Sequence, residues 1–234
     1  MNQTQDFTKG VIWKQLLFFF FPILIGSFFQ QLYNTVDTII VGQAVGTSAL
    51  AAVGSTGNLT NLIVNFYVGL STGASVVIAQ YYGAQNNKKI HQAVHTSYIL
   101  AIVSGILMML FGLFFSYQCL DAIGTPHDIL TDATLYMQLY FLCMIPGAIY
   151  NIGAGILRAV GDSKRPLYYL IVCSIVNVVF DFIFVVIFHQ GIAGAAIATV
   201  IAQSVCAILV TIQLMRTNEV YKLTLSKMKF HLPV

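Results

Sequence analysis

Apolar residues run along this chain in six long stretches: Ile12 to Val41, Leu50 to Tyr81, Val94 to Tyr117, Leu130 to Ala159, Leu167 to Phe188, and Ile192 to Met215. Each reaches the roughly 20 residues with which a helix crosses the hydrocarbon core of a bilayer. Several are longer, which predicts tilt, bends or extension beyond the lipid. Pro22 and Pro146 fall inside the first and fourth stretches and predict kinks, because proline removes a backbone donor. The first stretch follows Lys9 and Lys14 but has no small-residue cleavage site after it, so it reads as a membrane helix and not as a removed leader. No internal repeat or low-complexity segment interrupts the pattern.

Composition strengthens this reading. Of 234 residues 58% are hydrophobic and 8% charged, against roughly 25% charged in a soluble domain. A soluble protein this apolar would expose large hydrophobic patches. The fold class is therefore an all-α integral membrane protein, a six-transmembrane-helix bundle spanning residues 1–216, followed by a basic cytoplasmic connector over 217–234.

The charges orient the bundle. Lys9 and Lys14 precede the first stretch, and Lys88 and Lys89 follow the second. Arg158, Lys164 and Arg165 link the fourth and fifth, and Arg216, Lys222, Lys227 and Lys229 follow the sixth. With six spans all eleven basic residues lie on one side, while the opposite loops carry Asp121, Asp128 and Asp132. An extra or missing span would scatter the basic residues over both faces. The positive-inside rule then places both termini in the cytoplasm of a multi-pass cell-membrane protein. The net charge of +3 does not suggest nucleic-acid binding. Cys119, Cys143, Cys173 and Cys206 are too widely spaced for a redox pair or a metal site. Cys119 is expected in an external loop, the other three as filler, and no structural disulfide is expected.

Ionisable groups inside membrane helices cost about 2.5–3.5 kcal/mol each on insertion scales and are functional candidates. Asp37 and Asp181 stand out. Counted at about 1.5 Å per residue from the helix ends, both fall in the outer half of the bilayer. Asn177 precedes Asp181 by four residues on the same helix face, and Thr199 and Tyr136 reach similar depth. The expectation is one polar cluster whose carboxyls carry protons. Gln30, Gln31, Asn34, Asn65, Gln138 and Gln203 read more simply as helix-to-helix hydrogen bonders, and the small residues of GIAGAAIATVIA from Gly191 as close packing.

The segments around Pro22 and Asp37, VGQAVGTSALAAVG from Val41, QYYGAQN from Gln80, LRAVGDSKRP from Leu157, NVVFD from Asn177 and GIAGAAIAT from Gly191 together resemble the multidrug and toxic compound extrusion (MATE) transporters. LRAVGDSKRP is the most specific of them. The resemblance implies one lobe of a twelve-helix transporter, with the second six-helix lobe supplied by the same full-length protein, a homodimer or a separate chain. It implies, for the DinF-like branch, a cation-responsive site at Asp37, Tyr136, Asn177, Asp181 and Thr199, and a helix-bending role for Pro22. It further implies multidrug efflux of organic cations in exchange for protons or sodium ions, with no cofactor. If sodium is the coupling ion, Asp37, Asp181, Asn177 and Thr199 supply the hard oxygen ligands.

Enzyme readings are weak. The two aspartates lack the G-x-G-D context of an intramembrane protease. Gly69-Leu70-Ser71-Thr72-Gly73 has the spacing of a nucleophile elbow but lies in a helix, not a strand-turn-helix. His91 and His95 sit near the cytoplasmic end, far from the aspartates. A flippase for a lipid-linked sugar would need a basic cavity. A non-transporting remnant or interaction subunit is the remaining alternative.

Overall fold

The computed structural model describes residues 11–224, apart from the side chain of Ile12; the basic residues Lys9, Lys227 and Lys229 and the end of the connector lie outside them. The described residues form α1 (Ile12–Ala44), α2 (Thr47–Gly83), α3 (Asn87–Ala122), α4 (His127–Phe141), α5 (Met144–Ala159), α6 (Lys164–Asp181) and α7 (Gly191–Arg216), with a π-helical stretch, Phe182–Ile187, continuing α6. Five helices are long and apolar enough to cross a membrane. The pair α4 and α5, bent by 48°, is apolar and long enough only when taken together, which brings the spans to as many as six. The chain is thus a multi-pass, all-helical membrane bundle whose core runs between α2, α3, α4, α5 and α7. Large apolar residues such as Phe18, Phe28, Leu107 and Phe114 cover its outside, as lipid contact requires.

The fourth apolar stretch is the one most altered by folding. Its break falls at Leu142 and Cys143, one turn before the expected position at Pro146. The reason is local: the proline ring meets the carbonyl four residues earlier and leaves it without a donor, and that residue is Leu142. At Pro22, by contrast, α1 runs on unbroken. Two cysteine expectations are corrected. Cys119 belongs to the last turn of α3 and not to a loop. Cys173 on α6 and Cys206 on α7 face each other with their Cα atoms 5.8 Å apart and are joined as a disulfide, a distance typical of such bonds. Their separation of 33 residues hides this contact from spacing rules.

The LRAVGDSKRP segment is a capped turn. Gly161 takes φ +88°, a left-handed conformation that costs glycine little. Asp162, buried, then accepts from the Arg165 backbone N–H at 3.1 Å and pairs with the Arg165 guanidinium at 3.1 Å, which satisfies a free donor at the start of α6.

Residues 217–224, expected as the start of a polar connector, fold back on the bundle. Tyr221 and Leu223 are buried, and the Leu223 N–H donates to Leu214 O at 2.9 Å. The fully buried His95 holds the end of this segment: its Nε2 accepts from the Thr224 N–H at 3.1 Å, while Nδ1 lies 2.7 Å from His91 O. His95→Ala leaves that N–H unpaired, a loss of about 1–3 kcal/mol. Limited trypsin digestion is therefore expected to cut after Lys222 faster in His95→Ala than in the parent chain. Equal rates would mean that the clamp does not hold the segment.

Candidate functional site: a buried carboxyl cluster

Four helices deliver the cluster. α1 carries Asp37 on the side that packs against α6, and α6 places Asn177 and Asp181 one turn apart on its inner face. α7 contributes Thr199 and α4 contributes Tyr136. All five are buried: Asp181 has no exposure and Asp37 9%. Asn177 Nδ2 lies 3.5 Å from Thr199 Oγ1, which itself donates to Ala195 O at 3.1 Å. Asp181 lies within electrostatic reach of Asp37, and the Tyr136 hydroxyl within reach of both. Tyr136 also stacks on Tyr140 at 6.0 Å.

The distinctive feature is a surplus of acceptors. Asp37 Oδ1, both carboxyl oxygens of Asp181, Asn177 Oδ1 and Gln203 Oε1 are buried with no hydrogen-bond partner among the described residues. Buried polar atoms are rarely left this way, because each such loss costs about 1–3 kcal/mol. Two carboxyls, amide oxygens and a hydroxyl form a hard donor set of the kind that suits a proton, a water or a small cation. The adjoining cavity, between Tyr33, Asn177, Thr199 and Gln203, has a volume of about 10 Å³, near the minimum for one water molecule. It admits a proton, a water or a bare ion, and excludes an organic drug. Among the described residues no three His, Cys, Asp or Glu side chains gather into a metal-holding group.

Two residues join the cluster that sequence reasoning left outside it or read as structural. Tyr33 and Gln203 line the same small cavity as Asn177 and Thr199. Tyr33 precedes Asp37 by four residues and Gln203 follows Thr199 by four. The helical i, i+4 rule, applied outward from the two site residues, was the signal that finds them. The π-helical stretch begins directly after Asp181; such bulges are frequent at functional sites, but no residue type announces one. Gln138 is structural, as expected, and donates to Leu113 O at 3.2 Å.

The model of the MatE family matches residues 22–183, most of the chain and most of the cluster. The chain belongs to the MatE transporter family. MatE proteins are membrane transporters and not enzymes. Among its relatives is the probable multidrug resistance protein YoeA of Bacillus subtilis, 30% identical over 203 residues, which make up 85% of this chain and 44% of the relative. A crystal structure of a MATE protein in the bent conformation superposes with a TM-score of 0.86 at 27% identity, covering 92% of this chain and 48% of the other. A MOP-superfamily transporter from Pyrococcus furiosus, described as having a binding pocket of reverse polarity that suggests a different function, superposes with a TM-score of 0.85 at 28% identity and 92% and 48% coverage. The chain spans about half the length of the MatE relatives it matches, so its bundle corresponds to one lobe of the twelve-helix fold.

Proposed function

We propose that this chain is the first lobe of a DinF-like multidrug efflux transporter, exchanging inward protons or sodium ions for outward organic cations. The observation that carries the proposal is the acceptor surplus at Asp37 and Asp181, which calls for a proton or a small cation inside the membrane. In this reading one or both carboxyls lose their cation to attract the drug and regain it to release the drug outside. Asn177, Tyr136 and Thr199 orient the carboxyls, and Pro22 is the bending point of α1. The basic ends of the helices face the cytoplasm.

A drug site needs more than this lobe, and the outer surface of α1 and α2 supports a second one. Along α2, Gly54, Asn58, Asn61, Asn65 and Thr72 are exposed at spacings of three, four or seven residues, opposite the buried Ile63, Tyr67 and Ser71. Along α1, Ser27, Gln31, Asn34 and Thr38 are exposed in the same rhythm. Amide side chains facing hydrocarbon without a partner cost about 2–7 kcal/mol each. Such stripes suit a water-filled cleft or a facing lobe. The acidic character of the buried cluster suits cationic cargo. A flippase for an anionic lipid-linked sugar would invert it, and every described Lys and Arg lies at the helix ends that the charge pattern assigns to the cytoplasm.

The test is ethidium efflux in cells without their own drug pumps, comparing this chain alone with the same chain joined to the second lobe of a related transporter. Efflux only in the joined form is expected. Efflux by the chain alone would replace the single-lobe reading with a homodimer. None in either form, at normal membrane levels, would favour the remnant or flippase readings.

A further inference from the structure

We propose that the groove between α2 and α3 is a binding site for one anionic phospholipid of the leaflet nearest the basic helix ends, with an acyl chain in the groove and the phosphate at Lys88 and Lys89. The groove has a volume of about 630 Å³ and runs along α2 from Asn65 to Val77, and along α3 from Ala93 to Leu100. Twelve residues of helix are about 18 Å long. That is close to the roughly 15 Å depth of one leaflet's hydrocarbon. Its walls are mainly apolar, with Phe66, Leu70, Val77 and Leu100 among them.

Two further observations select a lipid as occupant. Beyond the groove, α3 exposes Val103 and Leu107, so the groove opens beside a lipid-facing surface. Its basic end lies one turn from Lys89 on α3 and one turn from Tyr81 on α2. There the Lys89 ammonium sits 5.1 Å from the Tyr81 ring centroid, with Lys88 exposed next to it. A lysine pair at the membrane-surface end of an apolar groove between membrane helices is the charge pattern that recruits anionic headgroups. The site lies on α2 and α3, apart from the carboxyl cluster, and shares only Asn65, at its far end, with the polar stripe of α2.

The glycines of the groove permit a test that leaves the fold intact. A Cβ added at Gly69 or Gly73 meets nothing within 4 Å, and leucine is a better helix former than glycine. Gly69→Leu/Gly73→Leu therefore projects two apolar side chains into the groove from positions where a Cβ meets no neighbour. The purified 234-residue chain is analysed by native mass spectrometry with phosphatidylglycerol and phosphatidylcholine supplied in equal amounts. Expected are one firmly retained phosphatidylglycerol on the parent chain, retention about thirtyfold weaker in Lys88→Gln/Lys89→Gln from the loss of two surface charges, and loss of the retained lipid in the groove-filled variant with no fall in Tm. Equal retention of both lipids by the parent would overturn the proposal. So would phosphatidylglycerol held as firmly by either variant as by the parent. If the groove-filled variant keeps its lipid but no longer supports efflux when joined to a second lobe, the groove seats a helix of that lobe and the lipid assignment is wrong.

Discussion

Asp181→Asn, introduced into the chain joined to a second lobe, is expected to reduce ethidium efflux to the background of pump-deficient cells while membrane levels stay normal. Asparagine keeps the size and shape of aspartate but cannot take up and release a proton or neutralise a cation. Asp181 is fully buried, and neither of its carboxyl oxygens has a hydrogen-bond partner among the described residues. The substitution therefore breaks no hydrogen bond of the fold and removes the cost of burying a charge. Loss of transport without loss of protein separates a coupling role from a structural one. Asp37→Asn is expected to behave alike, because Asp37 lies within electrostatic reach of Asp181 and shares the same unsatisfied environment. Normal drug resistance in either variant would remove that residue from the mechanism.

A large structural effect is expected at Gly105. A Cβ there would lie 2.8 Å from Ile145 Cα and 3.2 Å from Met144 O. Both are backbone atoms at the start of α5, beside the bend between α4 and α5, and neither can rotate away. Gly105→Val therefore pushes α3 from α5, and we expect a loss of about 3 kcal/mol, the upper range for overpacking a core. Thermal unfolding in detergent reads it as a Tm several degrees lower. An unchanged Tm would mean that α3 and α5 are not packed as closely as described. Gly73→Leu, on the open side of α2, is the internal control and is expected to leave Tm unlowered.

Much of this architecture is legible in the sequence for a physical reason. A bilayer demands long apolar helices and sorts positive charge to one side, so six stretches and eleven basic residues fix the number of spans. The cluster is legible because burying a carboxyl in a membrane is costly, which makes Asp37 and Asp181 conspicuous, and helix rise then places Asn177, Thr199 and Tyr136 at their level. Less legible are features decided by contact between distant residues. The pairing of Cys173 with Cys206 depends on the facing of α6 and α7. The return of Tyr221 and Leu223 onto the bundle depends on His95, more than a hundred residues earlier. In the sequence Gln31, Asn34 and Asn65 read as separate helix-to-helix hydrogen bonders and not as members of stripes on α1 and α2. Their common exposure becomes visible only once the buried face of each helix is known.

In the proposed cycle the Asp37–Asp181 cluster exchanges a small cation for an organic one. The most direct measurement reconstitutes the joined two-lobe protein in liposomes, imposes an ethidium gradient, and follows the internal proton and sodium concentrations with selective dyes. Counter-movement of one of these ions is expected when ethidium is supplied, and none in Asp37→Asn/Asp181→Asn. Ethidium transport by the double variant with undiminished ion counter-movement would contradict it.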